Sequence, residues 1–192
     1  RQRQMCIRDR NIAGETELCE VFFDDVEVPA ENLVGELHEG WTIAKSLLGH
    51  ERIWIGDPSM AMRAHALAEQ LVVETGQQDD PVVMNELAAL TADLHDYRSL
   101  YADICDHAAE TNEIGPEASM LKVYASELLQ RTTEFNLRIA GEYGVASGDS
   151  AIGNTNVNLH WQVMMARPTT IYAGCNEVQR DILAMGMGLP RK

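Results

Sequence analysis

The chain has 192 residues, 45% of them hydrophobic, and a formal net charge of -15 at pH 7. A chain of this length buries one hydrophobic core but is short for two complete domains, and it has no apolar run near the ~18 residues that a membrane-spanning helix needs. The acidic surplus argues against nucleic acid and anionic membranes as partners, because phosphate binding needs clustered Lys and Arg. We therefore expect a soluble, single-core protein without a membrane span.

The four cysteines are scattered and include no CxxC pair: Cys6, Cys19, Cys105 and Cys175. Zinc sites and disulfide frameworks both use cysteines at characteristic spacings. We expect no metal site, and a reducing compartment, the cytoplasm, as the location.

The first ten residues differ in composition from the rest, because they hold four of the chain's fifteen basic residues. We interpret residues 1–10 as foreign or mis-joined sequence and leave them out of the fold prediction.

The next segment is β-prone. Val21–Phe23 precedes a turn, and valines then alternate with Glu27 until Pro29 ends the run. An isolated strand is only marginally stable. Residues 11–35 are therefore predicted to be the end of a β-domain whose other strands are missing, with residues 17–29 extended and one edge unpaired.

From Gly40 onward the hydrophobic spacing is helical, and residues 36–192 are predicted to form a helical domain. A short amphipathic helix is predicted to break at Gly49. A second helix is predicted from about Glu51 to Glu74, with a kink at Pro58.

The third predicted helix has Asp79 or Asp80 as its cap and Pro81 in its first turn. Its apolar residues alternate steps of four and three, the spacing of an antiparallel bundle seam: Val83, Leu87, Leu90, Leu94, Tyr97, Tyr101, Ile104 and Ala108. Gly115-Pro116 opens a fourth helix that ends at Gly141–Gly144. Two shorter helices follow, over about residues 158–165 and 177–185. The predicted fold is all-α, an antiparallel up-down helical bundle with a short β segment at the N-terminus.

Near the C-terminus a loop leads directly into the last helix, over Pro168–Ala184. Asn176 is predicted to be the N-cap of that helix, with Gln179 as its capping-box partner. The preceding turn of small residues, Ala173-Gly174-Cys175, leaves backbone N–H groups free for a phosphate or a carbonyl oxygen. A capped helix after a glycine turn is common, so this shape alone does not identify a ligand site.

The same stretch resembles the C-terminal signature of the acyl-CoA dehydrogenase family, in which a Tyr-Glu-Gly-Thr turn precedes a helix with a Gln-Arg pair. The matching residues occur in order without a gap: Tyr172, Gly174, Asn176, Glu177, Val178, Gln179, Arg180, Ile182 and Ala184. Residues 20–35 are similar to the segment that joins the family's middle β-domain to its C-terminal helical domain. The resemblance covers residues 17–190 and implies a fragment without the family's N-terminal domain and most of its β-domain.

This resemblance implies an FAD-dependent α,β-dehydrogenation of an acyl-CoA thioester, in which a carboxylate removes the α-proton and a hydride passes to the flavin. The family's commonest position for that carboxylate is occupied by Ala173, which cannot accept a proton. Its backbone N–H is retained, and in the family that amide polarises the thioester carbonyl. A second family solution places the base just before an arginine, where this chain has Glu51 and Arg52.

The assignment of Glu51 as the base competes with a simpler interpretation. An acidic residue in the first turn of a helix complements the helix dipole, and Glu51 is predicted to lie in such a turn. The combination of an alanine at one family position and a glutamate at the other favours catalysis. Arg52 is predicted to anchor the helix start and Glu51 by its charge.

The flavin contacts implied by the resemblance are incomplete. A family Arg-x-x-Phe-Gly segment has no counterpart in residues 74–81. A Gln-x-x-Gly-Gly-x-Gly segment corresponds to Arg138, Gly141 and Gly144, with arginine in place of the Gln. The other implied FAD contacts lie in the terminal motif: Tyr172, Gly174, Cys175, Asn176 and Glu177.

These departures resemble the large subunit of two-subunit enzymes such as pimeloyl-CoA dehydrogenase. The implied partners are an acyl-CoA substrate, an electron acceptor that is itself a flavoprotein, and a homologous subunit in a homo- or hetero-tetramer. Two alternatives stay open: a non-catalytic scaffolding subunit, and an acyl-CoA oxidase or flavin monooxygenase on the same fold. Peroxide production with acyl-CoA would identify the oxidase. The fragment alone is expected to be inactive.

Overall fold

The computed structural model describes residues 8–189, apart from the side chains of residues 8, 9, 18, 49 and 50. The chain forms two compact units, one up to Leu48 and one from Gly49 onward. The first unit holds two short strands and the beginning of the first helix, which continues into the second unit: β1 Arg8–Asp9, β2 Leu18–Cys19 and α1 Gly40–Ile55. The remaining elements belong to the second unit: α2 Ser59–Glu74, α3 Pro81–Thr111, α4 Ala118–Ile139, β3 Ser150–Ile152, β4 Thr155–Val157, α5 Leu159–Ala166 and α6 Asn176–Gly186.

The predicted helical bundle is confirmed. Residues 82–140 contain no strand, and α4 contacts α2, α3, α5 and α6, so it forms the centre of the second unit. None of the helices described between residues 8 and 189 is both long and apolar enough to cross a membrane.

Of the two predicted caps of α3, the structure selects Asp80. The Asp80 side chain accepts a hydrogen bond from the N–H of Val82 at 2.8 Å, and Pro81 occupies the first turn. Most of the predicted seam is buried: Val83, Leu87, Leu90, Leu94, Tyr97 and Ile104. The facing side of α4 buries Leu121, Leu128, Thr132, Phe135 and Ile139. The steps of four and three therefore did mark the contact between these two helices.

The predicted helix break at Gly49 is wrong. α1 runs through Gly49 to Ile55, and the interruption lies at Gly56 and Pro58. A glycine inside a helix costs only about 1 kcal/mol. At Gly56, by contrast, an added Cβ would lie 2.6 Å from the Cβ of Leu121, so only glycine permits this close approach to α4. The consequence is that Glu51 lies near the end of a helix and not at its start.

The predicted extended segment over residues 17–29 is confirmed as a strand in one short part. Only Leu18–Cys19 is a strand, and it pairs antiparallel with Arg8–Asp9 along one edge, which leaves its other edge unpaired in the two-stranded sheet that the structure describes. Residues 21–28 lie outside any strand, and Phe23 is largely exposed. The β propensity of this run needs neighbouring strands and burial to take effect. Residues 1–10 were interpreted as foreign sequence. Residues 1–7 lie outside the described residues, and Arg8–Asp9 form β1.

A β-hairpin between α4 and α5 was not predicted. Ser150 pairs with Val157 and Ile152 with Thr155, and the side chains of Ile152 and Val157 join the core. The turn begins at Gly153, which has a left-handed backbone. Its Gly-Asn pair was the available signal, since such pairs are typical of two-residue hairpin turns.

Candidate functional site

The candidate site is built on the loop between α5 and α6 and on the side of α4 beneath it. The loop starts with a 3-10 turn over Arg167–Thr170. The Gln130 side chain on α4 donates to the carbonyl oxygens of Ala166 at 3.0 Å and Arg167 at 3.2 Å. Thr169 is buried and donates to the Ala166 carbonyl at 2.6 Å. The loop is therefore fixed to α4 before it reaches the small-residue turn.

The turn itself has two consecutive residues with left-handed backbone, Ala173 with φ 54° and Gly174 with φ 87°. The positive φ of Gly174 favours glycine, and a Cβ there would also lie 2.5 Å from the Gln179 amide nitrogen. Ala173 adopts the same left-handed conformation. The contact of its Cβ with the backbone makes this conformation about 1–2 kcal/mol less favourable. The Gln179 amide offsets that strain by donating to the carbonyl oxygens of Ala173 at 3.0 Å and Gly174 at 3.4 Å.

These carbonyl contacts fix the direction of two N–H groups. In a planar trans peptide the C=O of one residue and the N–H of the next point in opposite directions. Because the Ala173 and Gly174 carbonyls face Gln179, the N–H groups of Gly174 and Cys175 face away from it. The N–H of Ala173 has no hydrogen-bond acceptor in the part of the chain that the structure describes. The turn thus offers N–H donors to a ligand oxygen.

The prediction that Asn176 caps α6 is wrong. Cys175 is the N-cap residue, and its side chain makes no cap hydrogen bond. Asn176 is buried, with 3% exposure, and its amide nitrogen donates to Ser126 at 3.0 Å and Glu127 at 3.1 Å. The side chain forms these contacts because α4 offers it polar partners, which a local capping pattern does not take into account.

Lys122 lies beneath Asn176 on α4 and has no exposed surface. Its Nζ donates to the Asn176 side-chain oxygen at 2.6 Å. Burial lowers the pKa of Lys122, while nearby Cys175, Glu177 and Glu127 act in the opposite direction. A buried lysine on this side of α4 was missed in the sequence. The available signal was a second buried stripe on the helix at steps of four and three: Lys122, Ser126, Leu129 and Thr133.

Glu177 occupies the first turn of α6 and is exposed. The backbone N–H of Glu177, and next to it the Cys175 side chain, lower the pKa of its carboxyl. Arg180, one turn later, pairs with Glu127 of α4. The helix start is therefore negatively charged at its tip and tied to α4 by an ion pair.

Glu51 lies on the same side of α1 as Ile55, one turn before it. Ile55 lines a small cavity of about 30 Å³ together with Lys122, Ser126, Thr169 and Tyr172. Glu51 itself is partly buried. The structure thus brings the end of α1 and the segment before the Ala173 turn to one cavity.

Glu51 and Arg52 were predicted to lie at the start of a helix, and this prediction is wrong. Both residues lie in the last turns of α1, and Arg52 is the basic residue of the final turn. A cation is favourable at that end of a helix dipole and a carboxylate is not. The dipole therefore explains Arg52 but not Glu51, and Arg52 cannot anchor the start of the helix.

A larger, mostly apolar cavity of about 370 Å³ adjoins the small one, and Met60, Leu129 and Tyr172 line both. Trp161 and Met165 of α5 form part of its other wall. This volume suits the hydrocarbon part of a ligand whose polar group is held at the turn.

The remaining predicted cofactor residues lie at the other end of α4. Arg138 pairs with Glu86 and covers the ring of Phe135 at 5.4 Å. Gly141 helps to line a cavity of about 430 Å³ that also contains Glu74 and Glu142. The carboxylates of Glu74 and Glu142 oppose a diphosphate, so this cavity does not fit the diphosphate of a flavin.

The two groups of predicted site residues are not brought together within this chain. Lys122 and Arg138 are separated by about 24 Å along α4, at 1.5 Å per residue. Gly144, beyond Arg138, lies at the same end of the helix, where an added Cβ would meet the Leu137 carbonyl. Within residues 8–189 no three His, Cys, Asp or Glu side chains are placed to hold a metal ion.

Comparisons with known proteins cover nearly the whole chain. A model of the acyl-CoA dehydrogenase C-terminal domain matches residues 38–188. The chain is 28% identical over 188 residues to acyl-CoA dehydrogenase IpdE1 of Mycolicibacterium smegmatis, which covers 94% of this chain and 45% of that protein.

Two solved structures have the same fold. The chain superposes on the Tcur3481-Tcur3483 steroid ACAD with a TM-score of 0.83 and 25% identity, over 98% of this chain and 49% of that one. The ChsE4-ChsE5 complex from Mycobacterium tuberculosis gives a TM-score of 0.79 and 23% identity, over 98% and 50% of the two chains. The chain therefore spans about half the length of the relatives it matches.

Proposed function

The chain belongs to the acyl-CoA dehydrogenase family, and we propose that it supplies the C-terminal helical domain of an FAD-dependent enzyme that removes the α and β hydrogens of an acyl-CoA thioester. Glu51 is the base in this proposal. The observation that carries it is the single cavity reached by both the end of α1 and the Tyr172 segment, beside a turn that lacks a carboxylate.

The position of Glu51 supports its role as the base. It occupies the end of a helix where the dipole disfavours a carboxylate, so its presence there is not explained by helix stability. Ile55 brings the same side of α1 to the cavity next to Tyr172. Ala173 cannot accept a proton, whereas Glu51 can, and a base must reach the α-carbon of a substrate held at the turn.

The residues of the chain divide the reaction between a base and a set of N–H donors. The Glu51 carboxylate accepts the α-proton, and the electron pair left on the α-carbon delocalises into the thioester carbonyl. The N–H groups of the turn stabilise the negative charge that develops on that oxygen. The β-hydrogen leaves with its electron pair as a hydride, and accepting that hydride is the chemistry that bound FAD supplies. The product is the α,β-unsaturated thioester.

We place the acyl chain in the apolar cavity between α2, α4 and α5. It adjoins the turn through Tyr172, and its volume of about 370 Å³ leaves room for a bulky acyl group. The name of one structural relative describes it as a steroid enzyme. A large, fused-ring acyl group is therefore the substrate class that fits best.

A second, homologous chain completes the flavin site in this proposal. The turn side of the site offers N–H donors, but the cavity at the opposite end of α4 is lined by Glu74 and Glu142 and does not fit a diphosphate. Tcur3481-Tcur3483, to which this chain is similar, is named as a pair. We infer a hetero-oligomer in which the partner provides the diphosphate contacts and a separate flavoprotein accepts the electrons.

The same acidic cavity favours a second candidate function, that of a scaffolding subunit without chemistry of its own. If the partner carried the base, this chain would need neither a carboxylate at position 173 nor a cavity that accepts a diphosphate. Replacing Glu51 by Gln in the intact complex separates the two. Loss of acyl-CoA-dependent flavin reduction supports the dehydrogenase, and full retention supports the scaffold.

A further inference from the structure

Lys122 is a lysine without access to solvent. A side chain of this length normally extends its ammonium group to water, and burying a charge costs several kcal/mol unless it is paired. The exposed fraction of Lys122 is 0%, and its Nζ lies 2.6 Å from the Asn176 side-chain oxygen. An apolar residue would fill this place in α4 without that cost. The ammonium group therefore has a use beyond packing.

The ammonium group determines the orientation of the Asn176 amide. Lys122 has only hydrogen-bond donors, so the amide oxygen must face it. The amide nitrogen then faces Ser126 and Glu127, to which it donates at 3.0 and 3.1 Å. Every polar atom of the Asn176 side chain is thus engaged with α4. This residue fixes the first turn of α6 on α4.

The first turn of α6 in turn holds the Ala173 turn. Gln179 lies one helical turn after Asn176, and its amide donates to the carbonyl oxygens of Ala173 and Gly174. A shift or rotation of the α6 start would move Gln179 and release those carbonyls. The left-handed conformation of Ala173 is strained and would then relax. The chain of contacts runs from Lys122 through Asn176 and Gln179 to the turn.

We propose that Lys122 is a positioning residue, which holds the Ala173 turn through Asn176 so that its N–H groups meet the thioester carbonyl of the substrate. This inference rests on the proposed dehydrogenase function. Lys122 acts on the geometry of the donors and makes no contact of its own with the substrate in this account. Its loss should therefore weaken carbonyl polarisation and turnover more than it weakens substrate binding.

The test is Lys122→Met in the intact, partner-bound protein. We expect kcat for acyl-CoA-dependent flavin reduction to fall about 10-fold while KM changes less than about threefold, because small displacements of catalytic donors cost this much or more. Cinnamoyl-CoA serves as a probe, since its absorption moves to longer wavelength when its carbonyl is polarised. That shift should be smaller in the variant. Lys45→Met is the matched control, because Lys45 is exposed, and it should match the wild type in all three measurements.

Asn176→Ala is a second variant, which removes the same hydrogen bond between Lys122 and Asn176. It tests the positioning role if Lys122→Met does not fold. The two substitutions combined should have little more effect than either alone, because they interrupt one chain of contacts. A wild type that neither reduces flavin nor shifts the probe overturns the dehydrogenase function itself. An active wild type whose folded variants keep its kcat and its probe shift, or change KM alone, overturns only the positioning role.

Discussion

The hydroxyl group of Tyr97 on α3 donates a hydrogen bond to the backbone carbonyl of Gly56, in the break between α1 and α2. Tyr97 has no exposed surface, and burial raises the pKa of its hydroxyl group, which stays protonated as a donor. This contact holds the break at the place where α1 ends. It therefore fixes how far α1, which carries Glu51, extends.

Tyr97→Phe should destabilise the helical domain. It leaves the Gly56 carbonyl without its donor in a buried place, which costs about 1–3 kcal/mol. The measurement is the thermal midpoint of unfolding of the intact protein, which should fall by several degrees. Tyr143→Phe is the matched control, because Tyr143 is 49% exposed, and its midpoint should not change. Equal midpoints for both variants would show that the hydrogen bond is not needed.

Gly174→Ala should destabilise the turn more than a positive φ angle alone can explain. The new Cβ would lie 2.5 Å from the Gln179 amide nitrogen, in addition to the backbone strain of about 1–2 kcal/mol. Gly188→Ala provides the control, because Gly188 also has a positive φ but has nothing within 4 Å. We expect the first variant to lose more stability by about 1 kcal/mol or more, since overpacking adds to strain. Equal losses in thermal unfolding would mean that Gln179 moves away freely.

Met60→Trp should change which acyl chains are accepted. Met60 lines the apolar cavity, so a larger side chain removes room for a bulky acyl group. We expect kcat/KM for a fused-ring acyl-CoA to fall at least about 10-fold and that for a four-carbon acyl-CoA to change less than about threefold. Met62→Trp is the control, because Met62 is on the same helix but lines none of these cavities. A similar loss for both substrates would place the acyl chain elsewhere.

An experimental structure of the intact complex with a bound substrate analogue should place Glu51 and Ala173 on one cleft. We expect their Cα atoms within roughly 12 Å, because two alternative positions for one base must both reach the same carbon, about one side-chain length from each. Positions on opposite sides of the bundle would contradict the assignment of Glu51.

The helices could be predicted from sequence where burial follows a regular spacing, as it does from Val83 to Ile104. The position of the break between α1 and α2 could not be predicted, because it depends on contacts with Tyr97 and Leu121, which are far away in sequence. Gly49 and Gly56 have the same local helix propensity, so propensity cannot choose between them. Tertiary contacts therefore determine where α1 ends.

The site was predicted in part. The small-residue turn and the importance of Gln179 follow from the terminal motif, but the partners of Asn176 and Gln179 do not. A local pattern assigns both side chains to a helix cap, whereas the structure engages Asn176 with α4 and Gln179 with the turn carbonyls. Lys122 was missed because a single lysine in a helix is most often exposed.

Glu51→Gln in the intact, partner-bound protein tests whether Glu51 is the base, with flavin reduction by acyl-CoA followed by absorbance. Glutamine keeps the size of the side chain but cannot accept the α-proton, and loss of a general base costs ~10² to 10⁴ in rate. Flavin content should stay at the wild-type level, and Glu110→Gln, at an exposed position on α3, should leave the rate unchanged.

Adding Ala173→Glu to the inactive variant should restore part of the rate, because this is the other position from which a base reaches the same carbon. We predict loss of flavin reduction in Glu51→Gln and partial recovery in the double variant. Full activity of Glu51→Gln alone would contradict the assignment of Glu51 as the base and would mean that the partner chain carries it.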